Sequence, residues 1–128
     1  MSQLAIRLDG RTAFEPGETI SVEIEWSLPS PVDAIELRAV WNTVGKGTKD
    51  VGIEEILTIA SPNVKESRLV NVALPTAPYS FSGTLISLVW ALELVVLPSG
   101  AACRQEITIA PEGLEIELTA QGAANARP

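Results

Sequence analysis

The chain has 128 residues, 46% hydrophobic and 20% charged, a balance that fits one folded domain able to bury a core and excludes a disordered chain. Cys103 is the only cysteine and there is no histidine, which excludes a disulfide-stapled scaffold, serine triads, HExxH sites and most zinc chemistry. A formal net charge of -7, with nine scattered Lys and Arg, repels phosphate backbones, so nucleic acid is not an expected partner.

The opening MSQLAIRLDGRT has no basic region followed by an apolar stretch. The expectation is therefore no signal peptide and a cytoplasmic protein. Leu4, Ile6 and Leu8 alternate with Ala5 and Arg7, a short strand ending at the Asp9-Gly10 turn signal. In Phe14-Glu15-Pro16-Gly17-Glu18, Pro16 presets φ for the first central position of a tight turn. Gly17 then supplies the positive φ that a type II turn requires. The turn feeds a half-buried strand, with Ile20, Val22, Ile24 and Trp26 on one face and Ser21, Glu23 and Glu25 on the other.

Leu28-Pro29-Ser30-Pro31 stops that strand, because two prolines remove two ladder donors. Ala34 to Val44 is the next strand, Ile35, Leu37, Ala39 and Trp41 alternating with Glu36, Arg38 and Val40. Gly45-Lys46-Gly47-Thr48-Lys49-Asp50 reads as the loop of a long hairpin whose return strand is Val51 to Ile59. There the alternation slips at Glu54-Glu55, leaving Val51 and Ile53 out of phase with Ile56, the signature of a β-bulge. Ser61-Pro62-Asn63 turns the chain, and Leu69 to Leu74 forms a strand with Val70, Val72 and Leu74 on one face.

Thr76 to Gly83, TAPYSFSG, reads as a surface crossover, with Tyr79 and Phe81 free to pack over the core edge. Thr84 to Leu97 is the longest apolar run, and its strand period puts Ile86, Leu88, Trp90, Leu92, Leu94 and Val96 on one apolar face. Its Val and Ile content favours the extended form, and at under the roughly 20 residues needed to cross a bilayer it is no membrane span. Glu106 to Ala110 gives a short strand, with Cys103 ahead of it as an ordinary small buried thiol. Leu114, Ile116 and Leu118 alternate with Glu115 and Glu117, and residues 121–128 have no apolar period and read as a disordered tail.

With roughly seven to nine strands, frequent turn signals and no helical window, the expected fold is all-β. Residues 1–120 form one two-layer antiparallel β-sandwich of immunoglobulin-like or arrestin-like kind. Two phrases support the second name. Phe14-Glu15-Pro16-Gly17-Glu18-Thr19-Ile20-Ser21-Val22 resembles the early motif of arrestin-like domains. Leu74-Pro75-Thr76-Ala77-Pro78-Tyr79-Ser80-Phe81-Ser82-Gly83, running on into the long apolar strand, resembles that family's second signature. The resemblance implies a non-enzymatic adaptor or scaffold acting through protein–protein contacts. Members commonly carry two tandem sandwiches, whereas this chain has length for one.

Candidate sites are few. GKGTKD lacks the first P-loop glycine at the required spacing and reads as a hairpin loop. Glu54 and Glu55 are adjacent in a strand and so point to opposite faces, which rules them out as a carboxylate pair. The carboxylates Glu23, Glu25, Glu36, Glu115 and Glu117 sit in no calcium loop, and Trp26, Trp41 and Trp90 lie on apolar strand faces as core residues and not as a sugar platform. No catalytic residue, cofactor or metal is expected. The candidate interaction surface is the second face of the long strand, Leu85, Val89, Ala91, Val95 and Leu97, which outnumber Ser87 and Glu93. Such a strip requires cover, either from within the chain or from a second subunit. A homodimer is the favoured expectation. The alternative function is a carbohydrate-binding or adhesin-type accessory domain.

Overall fold

The structure, a computed structural model, describes residues 2–45, 50–83, 86–111 and 116–118. Their strands in chain order are β1 (Gln3–Arg7), β2 (Ala13–Phe14), β3 (Thr19–Ser27), β4 (Ala34–Gly45), β5 (Val51–Ala60), β6 (Lys65–Ala73), β7 (Phe81–Gly83), β8 (Ile86–Leu97), β9 (Ala102–Ile109) and β10 (Ile116–Leu118). Two sheets pack together. The smaller runs β1-β3-β6; the larger runs β10-β7-β8-β4-β5, with β9 beside β8 and β2 beside β9.

Strand β8 is the axis of the larger sheet. One edge pairs with β4 from Ala34↔Leu97 to Gly45↔Ile86; the other pairs with β9 from Trp90↔Ile107 to Val95↔Ala102 and with β7 at Phe81↔Leu88. Its inward side chains Leu88, Trp90, Leu92, Leu94 and Val96 are all buried, meeting Ile20, Val22, Ile24 and Trp26 of β3 in one core. Burying a large apolar side chain contributes about 1.5–3 kcal/mol. Five on one strand therefore contribute a gross term on the scale of the about 5–15 kcal/mol by which whole domains are stable. The two fully buried indoles keep their polar ends satisfied. Trp26 Nε1 donates to the Asn63 carbonyl and Trp90 Nε1 to the Pro78 carbonyl, each at 2.7 Å.

The sandwich is as expected, with three differences. The ten strands among the described residues exceed the expected seven to nine, because β2 and β7 are two- and three-residue strands in segments without an alternating pattern. Two pairings, β2 with β9 and β10 with β7, are parallel, so the sheets are antiparallel except at these short ends. Strand β6 starts at Lys65 and β9 at Ala102, both four residues earlier than the apolar pattern indicates, since residues without an apolar alternation continue each ladder.

The crossover before β8 is also more tightly bound than a surface loop. Ser80 is buried; its N–H donates to the Ile109 carbonyl at 2.7 Å, and its Oγ accepts from the Ile109 N–H at 3.0 Å. Phe81 is half-buried against the core while Tyr79 is exposed, so only one of the two aromatics packs down. Residues 121–128 and Leu114 lie outside the described residues.

The turn into β3 has the expected form. Gly17 has φ of 76°, and the Glu18 N–H closes the turn on the Glu15 carbonyl at 3.1 Å. A Cβ at Gly17 would also lie 3.2 Å from Thr76 Cγ2. Gly17→Val should therefore lower stability by about 1 kcal/mol or more, because a β-branched residue is strained at positive φ. Circular dichroism melts check this: a melting temperature lower by a few degrees is expected, and an unchanged one would contradict the turn's role.

Candidate functional site

The site is built at the open end of the β4–β5 hairpin. Along the 12 residues of β4 burial falls from buried Ala39 and Val40, through half-buried Trp41 to Thr43, to exposed Val44 and Gly45. The β4–β5 ladder pairs Leu37 with Leu57 but Arg38 with Glu55, leaving Ile56 as an extra residue. This is the β-bulge expected at Glu54-Glu55, displaced by one position. Its consequence is a change of face. Beyond the bulge Ile53 lies opposite Val40 and Val51 opposite Asn42, on the outside of the sandwich. Val51 is 65% exposed, Ile53 59% and the neighbouring Val44 53%. Three β-branched apolar residues thus share one open corner of the sheet.

The inner side of the same corner is closed by Trp41, opposite Gly52. A Cβ on Gly52 would fall on the indole, with Trp41 Nε1 its nearest atom. The ring therefore packs closely against the glycine backbone, a contact only glycine permits. Asp50 closes the hairpin, its N–H donating to Thr43 Oγ1 at 2.9 Å and its carbonyl accepting from the Thr43 N–H at 2.9 Å.

The strip expected on β8 is placed differently. Ala91 and Val95 are already buried, Val89 and Leu97 are half-buried, and Leu85 lies outside the described residues. A surface made of all five is not open in the single chain. Val95 is set beside Glu36, and Glu93 stands between Arg38 and Arg104. Arg38 pairs with Glu36 at 2.7 Å, and Arg104 donates to Glu93 at 3.2 Å and to Asn42 at 3.1 Å. The stems of these long side chains shield apolar neighbours while their charged ends stay wet. A single sequence shows the alternation of β8 but not which strands lie beside it.

The remaining candidates have ordinary roles. Glu23 and Glu25 both pair with Arg7, at 3.5 and 2.8 Å, so the acidic face of β3 is partly neutralised. Arg11 lies 4.9 Å above the Phe14 ring and reaches Glu18 at 2.9 Å. The Glu15 N–H, then Arg11, hold the Glu18 carboxyl below its usual range. Cys103 is half-buried, less than expected, and burial pushes its thiol above the ordinary range. No cluster of metal-ligating residues occurs among the described residues, and residues 46–49 of the expected hairpin loop lie outside them, while Gly45 ends β4. No helix among the described residues is long and apolar enough to cross a membrane.

No family model matches the chain, and no curated protein matches it. Among solved structures it is similar to the X-ray structure of Northeast Structural Genomics Consortium target SoR45, at 16% identity over 89% of this chain and 88% of that one. The TM-score of that match is 0.24, too low to carry an argument.

The Trp41–Gly52 contact is open to direct test. Gly52→Val should displace the indole and cost about 1–3 kcal/mol, the usual range for overpacking. A lower melting temperature together with altered tryptophan emission is the expected result. Unchanged melting and emission would show that the ring does not lie there.

Proposed function

We propose that the protein is a cytoplasmic, non-enzymatic binding or scaffold module, akin to arrestin-like adaptor domains, whose contacts are made by the exposed corner of the larger sheet. One observation carries this reading: Val51 and Ile53, turned outward by a bulge, are exposed together with Val44 at one end of a hairpin. Scattered exposed apolar side chains are normal on any surface, but a cluster on one edge of a sheet is the form that strand-addition and face-docking interfaces take. The arrestin-like phrases 14–22 and 74–90 support the same class. Against the carbohydrate-binding alternative, Trp26 and Trp90 are fully buried with their N–H groups bonded to backbone.

The test is affinity capture from cytoplasmic extract with wild-type and Ile53→Lys proteins on parallel columns, followed by mass spectrometry. A partner held in stoichiometric amount by wild type and lost by the variant is the expected result. Identical captures on both columns, or binding only to a glycan array, would contradict it.

A further inference from the structure

The outer edge of β5 pairs with no described strand, so its ladder groups are available to a further strand. The other long edge, β6, is protected. It carries Lys65 and Arg68, the latter paired with Glu66, and its exposed Leu69 stands alone. We propose that β5 is a self-pairing edge, and that two copies of this chain join antiparallel through residues 51–55 about a twofold axis at Ile53. The inference rests on reading this corner as an interaction surface.

The register follows from the residues. With Ile53 opposite the partner's Ile53, Val51 faces the partner's Glu55 and Gly52 faces the partner's Glu54, so no carboxylate stands directly against another. On the outer face the two isoleucines meet, each backed by Val40 of its own β4. Shifting the axis to Glu54 would set Glu54 against the partner's Glu54, which like-charge pairing disfavours.

The inner face supplies an independent reason. Of the three indoles, those of Trp26 and Trp90 each donate to a backbone carbonyl, whereas Trp41 Nε1 has no acceptor among the described residues. That nitrogen lies against the position a Gly52 Cβ would occupy. The proposed register brings the partner's Glu54 opposite Gly52, within a side chain's reach of the indole N–H. The resulting hydrogen bond to a carboxylate is charge-assisted and forms twice per dimer. Gly52 thus lets the Trp41 ring, with its N–H, sit against the backbone of the edge strand, where any side chain would displace it. A net charge of -7 per chain opposes assembly at long range, so screening should favour it.

The experiment is multi-angle light scattering on the full chain at high micromolar concentration, at about 0.01 M and about 0.15 M salt, over which the screening length falls from about 30 to about 8 Å. A dimer mass that rises in proportion with salt is expected for wild type and for Leu69→Lys, and a monomer mass for Ile53→Lys. Glu54→Ala should weaken the dimer several-fold and alter the Trp41 emission that accompanies assembly. Should Ile53→Lys fail to fold, Ile53→Cys in a Cys103→Ser background decides. Opposed cysteines on the twofold axis should give a reducible covalent dimer, and Leu69→Cys should not. A wild-type monomer throughout, a dimer that survives Ile53→Lys, or no crosslink from Ile53→Cys overturns the proposal. If the wild type is monomeric yet still captures another protein through this edge, self-pairing fails and the binding-module reading stands. If it does neither, both fail.

Discussion

The double pairing of β8 is the constraint on which the rest of the structure depends. A strand bonded along both edges has no backbone groups left for solvent, so it tolerates an apolar sequence that would be a hazard at a sheet margin. Its inward residues Leu88 to Val96 then fix where β3 must lie, and the ladder to β4 fixes the hairpin that β4 makes with β5. The crossover 74–80 is held from both ends of this arrangement. Trp90 reaches the Pro78 carbonyl, and Ser80 exchanges two hydrogen bonds with Ile109. Loss of either contact leaves a buried donor unpaired, which costs about 1–3 kcal/mol.

Much of this was legible in the residue pattern, for physical reasons that also explain the gaps. Strands β3, β4 and β8 alternate cleanly because each has a wet or lightly covered face opposite a dry one. The slip at Glu54-Glu55 marked the bulge to within one residue, because an inserted residue reverses the face of everything before it. Short β2 and β7 left no trace, since two or three residues cannot show a period. They are strands only because β9 and β8 lie beside them. The first half of β9 shows no apolar period for a related reason. Ala102, Cys103, Arg104 and Gln105 mix apolar and polar residues, and their order comes from pairing with β8.

The site shows the same division more sharply. The strip Val89, Ala91, Val95 and Leu97 is apolar as read, yet burial of Ala91 and Val95 depends on neighbours from β4 and β9 that are remote in sequence. The exposed corner could have been found from the bulge alone: once Val51 and Ile53 are seen to be out of phase with Ile56, they must face away from the core that Leu57 and Ile59 enter. What no periodicity reveals is where burial ends along β4. Trp41 is half-buried, lying against Gly52. The long central strand builds the core, and the hairpin beside it carries a corner where, among the described residues, Val44, Val51 and Ile53 remain exposed together.

Amide hydrogen exchange of the native protein, followed residue by residue, tests the primacy of β8 most directly. Exchange through global unfolding marks the most stable unit of a domain, and exchange through local opening marks its margins. The account predicts that the amides of Trp90 to Val95, on a strand paired on both sides, exchange only by global unfolding, more slowly than those of β1 and β6. Amides of Trp90 to Val95 exchanging as fast as those of β6 would contradict it.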